Sequence, residues 1–504
     1  MKKDIICSKN IFFLLYTALT TIVLSMGHIL ADINRFAAGL LLVGIAVIIY
    51  FGLVISVADK NWLDIRAVFH AVWNGTVGLA ALRLTNYQEE WLVKTRICVA
   101  LAYLMFQIGS HFGIALGEPF FNCIKTRFKN PKVWRIGFEV KENRYFWICV
   151  ITTIVGIICF SINVAIRGYI PCFSDDINAY IKFYTKFHIF SVAATGVSGF
   201  CYYCIATQKL NKIKKIILAL CILYATFLFP VMVVSRGVFV VSALSLTVTV
   251  FYIHKKKFVV LVGCLAIIAS VYYCTSILRN YTDEQLEIFF EPSEIVVNSE
   301  MSSTTTSEVS STIVSEVPST TVSEVPSNNV SENSTSDDTV QTFSLPPKLA
   351  FIYSYLTVSH DNFNEAVQNC LRYDGGIHQI KAFNTVLRFN WIEEKLEDVE
   401  YYLVKPHLNT VNVIGLFYYD FHEWGVVILM LLWSFIFGIL QKTAELSKTP
   451  FILLTLGNAM APVALCFFAA WMSVFSQWML WGVVLIFAVA STIKIDLKKK
   501  SKNN

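Results

Sequence analysis

Between Ile216 and Ile253 a single side chain, Arg236, is charged at neutral pH, and it sits in the stretch VVSRGVF. A guanidinium in so apolar a run is costly and needs an anion, a headgroup or a polar cavity to meet. Further arginines border apolar runs: Arg167 before GYIPCFSDD, Arg279 at the end of the run that closes at residue 277, and Arg372 and Arg388 in an aromatic, charged segment. Each alone is explained by anchoring to lipid phosphates. Several together suit an anionic substrate, because the planar fork grips phosphate oxygens bidentately and keeps its charge.

His360, His378, His407 and His422 share the aromatic segment. Loop histidines ordinarily serve as exposed or hydrogen-bonded structural groups. A sugar hydroxyl acceptor, however, benefits from a base whose pKa lies near neutrality, which His supplies. Asp361, Asp374 and Asp420 are the rival bases. No H-E-x-x-H, Cys/His zinc spacing, phosphate-cradling glycine loop or D-x-D pair occurs, so neither a metal nor a nucleotide cofactor is expected. Tyr353, Tyr355, Phe363, Tyr401, Tyr402, Tyr418 and Tyr419 add rings on which sugars stack, although an interfacial belt accounts for most of them.

The elements that must hold these groups are membrane helices. The 504 residues are 56% hydrophobic and 15% charged, against about 25% charged in soluble domains. A crossing helix needs about 20 mostly apolar residues. Such windows fall at 11–30, 36–58, 66–84, 97–116, 146–166, 187–206, 216–235, 237–253, 258–277, 424–440, 451–470 and 473–493. The expected fold is therefore all-α and polytopic, with twelve spans and a large extracytoplasmic loop between spans nine and ten. No cleavable signal peptide is expected, because 11–30 is long enough to span. The 13 Cys lie mainly in apolar runs, and the CYYC pair Cys201 and Cys204 reads as small apolar filler rather than redox chemistry.

The net charge of +6 needs no acidic or nucleic-acid partner, because it follows topology. Most of the 41 Lys and Arg fall in alternate connections, among them Lys209 to Lys215 and Lys255 to Lys257. Basic connections favour the cytoplasm, so both termini are expected there and Arg236 falls at the tight outside turn between spans seven and eight. The chain then divides into helices 1–277, an outside loop 278–423, helices 424–493 and a basic cytoplasmic tail 494–504. Within the loop, the Ser/Thr-rich text of 292–338, with its SEVP repeats, buries too little apolar area to order itself. Residues 345–420 read as a folded part.

At this point the chain resembles the oligosaccharide repeat-unit polymerases of bacterial O-antigen and capsule synthesis, the Wzy-type family. The resemblance rests on GYIPCFSDD, VVSRGVF, YSYLTVSHDNFNEA and NTVNVIGLFYYDFHEWGVV in that order, and covers roughly 36–481 without the Ser/Thr insert. One departure is Asp420-Phe421-His422, where the family pattern often carries Asp-Phe-Gly. The resemblance implies a metal-independent glycosyltransferase of the cytoplasmic membrane's outer face. It would join undecaprenyl-pyrophosphate-linked oligosaccharides, alongside a flippase and a chain-length regulator. The expected catalytic residues are Arg236, His407 and Asp420; Arg167, Arg279, Asp361, Asn364, Arg372 and Arg388 are the expected binding residues.

Two other classes compete. A ligase-like glycan transferase would share the architecture and differ only in its acceptor. A lipid-linked oligosaccharide flippase would have a similar helix count, but carriers place their sites at the midplane between repeated halves. Here the long loop after span nine breaks a six-plus-six division.

Overall fold

A computed structural model describes residues 2–127, 142–174, 179–254, 258–259, 261–266, 269, 345–405, 408–447 and 449–492. Regular structure among them is helical throughout. Helices α1 (Lys2–Ile33) and α2 (Arg35–Gly52) form a hairpin closed by Asn34, whose side chain accepts from the Ala37 N–H. α2 runs on through a π-helical turn at Leu53–Val57. Then come α3 (Ile65–Ala81), α4 (Val93–Arg127), α5 (Glu142–Arg167) and the short α6 (Ala179–Lys182). α7 (Lys186–Thr195) and α8 (Ser198–Thr207) are one apolar rod interrupted at Gly196 and Val197. α9 (Lys212–Leu223) continues through a second π turn at Tyr224–Leu228 into α10 (Phe229–Met232).

Ser235 caps α11 (Arg236–Ile253) by accepting from the Val238 N–H. The remaining helices are α12 (Pro347–Asn369), α13 (Ile377–Leu387), α14 (Asn390–Glu397), α15 (Val413–Ser447), α16 (Pro450–Ala464) and α17 (Phe475–Thr492).

Eight helical segments among the described residues are long and apolar enough to cross a bilayer: Ser8–Ile33, Arg35–Val57, Val93–Cys123, Arg144–Arg167, Lys186–Thr207, Lys212–Met232, Arg236–Ile253 and Val413–Ser447. Their outward faces are apolar, with Leu14 63% and Ile48 70% exposed. This is the build of a multi-pass membrane protein.

The structure departs from the twelve expected spans at three windows. Window 66–84 is α3, only 17 residues and lined with buried Arg66, His70, Asn74 and Thr76, so it is an interior helix. Window 451–470 ends early, because α16 stops at Ala464 and the chain turns through 465–474. Window 473–493 holds α17, whose apolar part Phe475–Ala488 is shorter than a full span. Window 258–277 lies largely outside the described residues, as do the insert 292–338, Arg279, His407 and the tail. α15 also reaches back to Val413, so span ten absorbs residues expected in the loop, with a break in helical geometry at Phe421 and His422.

Connections gather at two opposite ends. At one, residues 82–92, 233–236, 345–405, 408–412 and 465–474 meet: Trp91 donates to Asp361, Arg236 lies over Tyr355, and the Val413 N–H donates to the Cys466 carbonyl. At the other, Asn61 donates to Glu445 at 2.8 Å and to the Tyr252 hydroxyl at 3.2 Å. There the Arg66 guanidinium grips Asp64 through Nε at 2.9 Å and Nη2 at 2.8 Å, and Gln441 donates to the same carboxylate at 2.9 Å.

α4 and α15 pack most closely, on small residues. A methyl group built on Gly113 would lie 2.1 Å from the Phe435 carbonyl oxygen and 3.0 Å from the Gly438 Cα. The two backbones touch, the way helices associate in lipid without a hydrophobic drive between them. Gly113→Ala must push the helices apart. It is expected to destabilise by about 1–3 kcal/mol, read as a lowered unfolding temperature in detergent, while Gly44→Ala, with open space around it, leaves that temperature in place.

Candidate functional site

α12 is the keystone of the loop-rich end, because nearly every polar residue of SHDNFN fastens a different element. Ser359 donates to the Phe467 carbonyl, and His360 packs against Trp73 with its Nε2 3.0 Å from the Thr76 hydroxyl. Asp361 accepts from Trp91 Nε1 at 2.9 Å and Gln88 Nε2 at 3.0 Å. Asn362 donates to the Leu408 and Thr410 carbonyls. Asn364 accepts from the Leu92 N–H at 2.9 Å and the Thr95 hydroxyl at 2.8 Å. Burial pushes the Asp361 carboxyl up to about 7, against the two hydrogen bonds that hold its charged form. The expected binding residues Asp361 and Asn364 are thus directed at this chain's own 88–95 segment, where they position rather than face a cleft.

The chemistry concentrates beside it. Gly375 and Gly376, at φ 67° and 87°, turn the chain sharply into α13. That turn is held against α15, because the Asp374 N–H donates to the Tyr419 carbonyl and the Gly375 N–H to that of Asp420. The Asp420 carboxylate then accepts from the His378 N–H at 3.1 Å and from Gln379 Nε2 at 3.0 Å, so it covers the N-terminus of α13. His378 is fully buried, and both ring nitrogens have partners: Asp374 Oδ2 at 2.9 Å from Nε2, and the Tyr401 hydroxyl at 3.2 Å from Nδ1. With Nε2–H donating to the carboxylate, Nδ1 accepts the phenolic proton. Lys381 Nζ donates to the same phenolic oxygen at 3.4 Å.

The array is therefore carboxylate, imidazole, phenol and ammonium in sequence. Burial raises the Tyr401 phenol well above its usual range, helped by the charges of Asp374 and Asp420. Burial also brings the Lys381 ammonium down to about 8, while Asp420 opposes the shift. A lysine so tuned switches charge just above neutrality, and an imidazole held by a carboxylate is oriented as a general base. The arrangement can take a proton at Tyr401 and deliver it to His378.

Immediately after Asp420, His422 adopts φ 49° with ψ −137°, backbone that favours glycine. Its ring stacks on Tyr418 at 4.8 Å and lies 4.2 Å from Tyr373. This is the position at which the Asp-Phe-His triplet stands in place of Asp-Phe-Gly.

Among the described residues, the expected arginines do not share partners. Arg236 is 7% exposed at the head of α11, its guanidinium 5.0 Å from the Tyr355 ring centre and 5.7 Å from that of Phe351. It is buried against α12 rather than spread among headgroups. Arg167 ends α5 and donates to the Tyr184 carbonyl at 2.8 Å. Arg372 is exposed beside the Gly375 turn, and Arg388 is the exposed left-handed cap of α13. The guanidiniums that do gather belong to other residues: Arg83 and Arg96 both pair with Asp32, at 3.1 and 2.7 Å, and Arg35 donates to the Arg83 carbonyl.

Of the expected catalytic residues Asp420 joins the array, and His407 lies outside the described residues. His378 and Asp374, named only among the alternatives, occupy the centre, and Tyr401 and Lys381 complete it. Asp374 lies four residues before His378 and Lys381 three after it, but Asp374 stands outside α13 across the Gly375–Gly376 turn, so helical spacing alone does not report the cluster. No protein-family model, curated protein or solved structure matches this chain.

Proposed function

We propose that the chain is a glycosyltransferase that polymerises undecaprenyl-pyrophosphate-linked oligosaccharide repeat units at the outer face of the cytoplasmic membrane. The observation that carries this reading is the Asp374–His378–Tyr401–Lys381 array at the loop-rich end, built on helices tied to the membrane-spanning bundle. Transfer to a sugar hydroxyl requires removal of its proton as its oxygen attacks the anomeric carbon. In this reading Tyr401 takes that proton and passes its own to His378 Nδ1. The imidazolium is then held by Asp374, and the Lys381 ammonium steadies the phenolic oxygen. The anomeric carbon gains the acceptor oxygen and loses the pyrophosphate, which departs with the bonding electrons. Arg236, buried in an aromatic cage at the same end, supplies fixed positive charge toward that leaving group. A flippase reading places polar groups at the midplane; Asp374, His378, Lys381 and Tyr401 instead lie outside the eight long apolar segments.

The test is elongation by purified protein in lipid nanodiscs supplied with undecaprenyl-pyrophosphate-linked repeat units. A ladder of lengthened lipid-linked glycans supports the proposal. Transfer only onto another acceptor makes the chain a ligase, and loss of substrate from one leaflet without lengthening makes it a carrier.

The pH dependence carries a sign. Lys381 is charged below about 8, so its assistance is present at neutrality and lost as pH rises through that value. Elongation is expected to fall on the alkaline side near pH 8, and Lys381→Arg, charged throughout, is expected to move that fall upward. An unchanged alkaline limb in the arginine variant would remove Lys381 from the mechanism.

A further inference from the structure

The exposed residues of α15 mark the thickness of the bilayer. Beyond its break at Phe421 and His422 the helix presents one apolar stripe, Trp424, Ile428, Leu432 and Ile436, and its far end exposes Leu446. Trp424 and Leu446 lie about 33 Å apart along the axis at roughly 1.5 Å per residue, which matches the ~30 Å hydrocarbon core. Before the break the same helix is enclosed by protein, since every residue from Val413 to Asp420 is buried. Trp424, 71% exposed, therefore stands where hydrocarbon gives way to headgroups, the level that tryptophan and tyrosine favour.

At that level the surface stays apolar and passes to a second element. The Phe421 ring reaches the turn into α13, where a methyl group built on Gly376 would come within 3.0 Å of it. Tyr373 packs on His422 at 4.2 Å between ring centres and is 61% exposed, and Leu371 beside it is 89% exposed. Cys370 Sγ donates to the Arg372 carbonyl and pins this rim, leaving the Arg372 side chain exposed. The carboxylates next to this surface in the chain are engaged elsewhere, Asp374 with His378 and Glu423 with Lys94. Leu371, Tyr373, Phe421 and Trp424 thus extend the lipid-facing stripe of α15, with one cation among them. A contiguous apolar rim of this kind marks an interaction surface. Interfacial aromatics and an arginine whose stem lies on acyl chains while its head meets phosphate are the composition of a headgroup layer.

We propose that the Leu371–Tyr373 rim is seated in the phospholipid leaflet at the loop-rich end, with Leu371 and Tyr373 against acyl chains and Arg372 on a lipid phosphate. The seat bears on chemistry because Asp374, the next residue, is the carboxylate that holds His378. The leaflet then fixes the depth of the Asp374–His378 pair, at the level of the phosphates of a lipid-borne donor, which reaches the pair sideways from the bilayer. This last consequence rests on the proposed polymerase reading.

The experiment uses the full chain in nanodiscs of phosphatidylethanolamine and phosphatidylglycerol. A benzophenone amino acid replaces Leu371, Leu432 of the lipid-facing stripe, or Glu394 on the exposed face of α14, and adducts formed on irradiation are identified by mass spectrometry. Phospholipid adducts are expected at position 371 with a yield like that at 432 and far above that at 394. Peptide adducts at 371, to a second copy or to this chain's own 278–344 segment, would overturn the proposal, as would no adduct there while 432 reacts. The second readout is elongation of lipid-linked repeat units by Leu371→Asp, checked for folding by size-exclusion chromatography. Its kcat/KM is expected to fall roughly tenfold or more, the loss of one seated apolar side chain, whereas Leu371→Met keeps the normal value. Lipid adducts without elongation in the unsubstituted protein would keep the seat and sink the polymerase reading. Lipid adducts with normal elongation by Leu371→Asp would overturn the link between the seat and the array.

Discussion

Replacing His378 by asparagine is expected to lower the rate of glycan elongation by about 100- to 10,000-fold, the contribution of a positioned general base. The side chain is fully buried between Asp374 and Tyr401, so asparagine, which keeps most of its volume, is preferred to alanine. Asp374→Asn leaves the imidazole in place but removes the charge that would stabilise its protonated form. It is expected to lose at least a tenfold factor. Cells carrying either variant should accumulate single repeat units on lipid while the protein level stays normal. Full elongation by a folded His378→Asn protein would reduce the array to a structural clamp on α13 and return the search for a base to His407.

The second large effect is expected at Arg236. Its guanidinium lies over Tyr355 and Phe351, an arrangement suited to a planar, weakly hydrated cation and unsuited to a compact ammonium. Arg236→Lys and Arg236→Ala are each expected to reduce elongation roughly 100- to 1,000-fold, the loss of one preorganised contact to developing charge. Tyr355→Leu removes a wall of the cage and keeps the charge, so its effect should be smaller and fall mainly on KM. A lysine variant working at the normal rate would make Arg236 an anchor for α12, and the leaving-group charge would have to come from Arg83 or Arg96.

Much of the architecture was legible in apolar length alone, because a bilayer imposes one period on every helix that crosses it. α3 has the hydropathy of an ordinary span because a windowed average does not register that Arg66, His70, Asn74 and Thr76 all face inward. The close seam of α4 and α15 has a trace in the sequence, where Gly109, Gly113 and Gly117 recur every fourth residue. At the candidate site, composition singled out the segment that carries the array, while the array's members are joined by contacts that composition does not report. Arg167, Arg372 and Arg388 share an end of the molecule without sharing neighbours, and an end is all that topology specifies. His378 gains its role from Tyr401 and Asp420, partners 23 and 42 residues away, and no local pattern reports such a distance. The Asp-Phe-His departure was visible in the text, yet only backbone angles reveal that a histidine stands where glycine conformation is required.

The polar cluster around Asp64 has a consequence for how the chain is made. Gln441, which accepts from the Ile65 N–H at 2.8 Å, is synthesised 376 residues later. At 5–20 residues per second the ribosome needs roughly 20 to 75 s to supply it. Through that interval the first helices hold a charged pair whose final partners do not yet exist, so the amino-terminal third must be sheltered by the insertion machinery or by neighbouring lipid headgroups. A chain halted before α15 would keep Asp64 and Arg66 incompletely enclosed at that end of the bundle, a mark by which a quality-control protease could tell an unfinished molecule from a finished one.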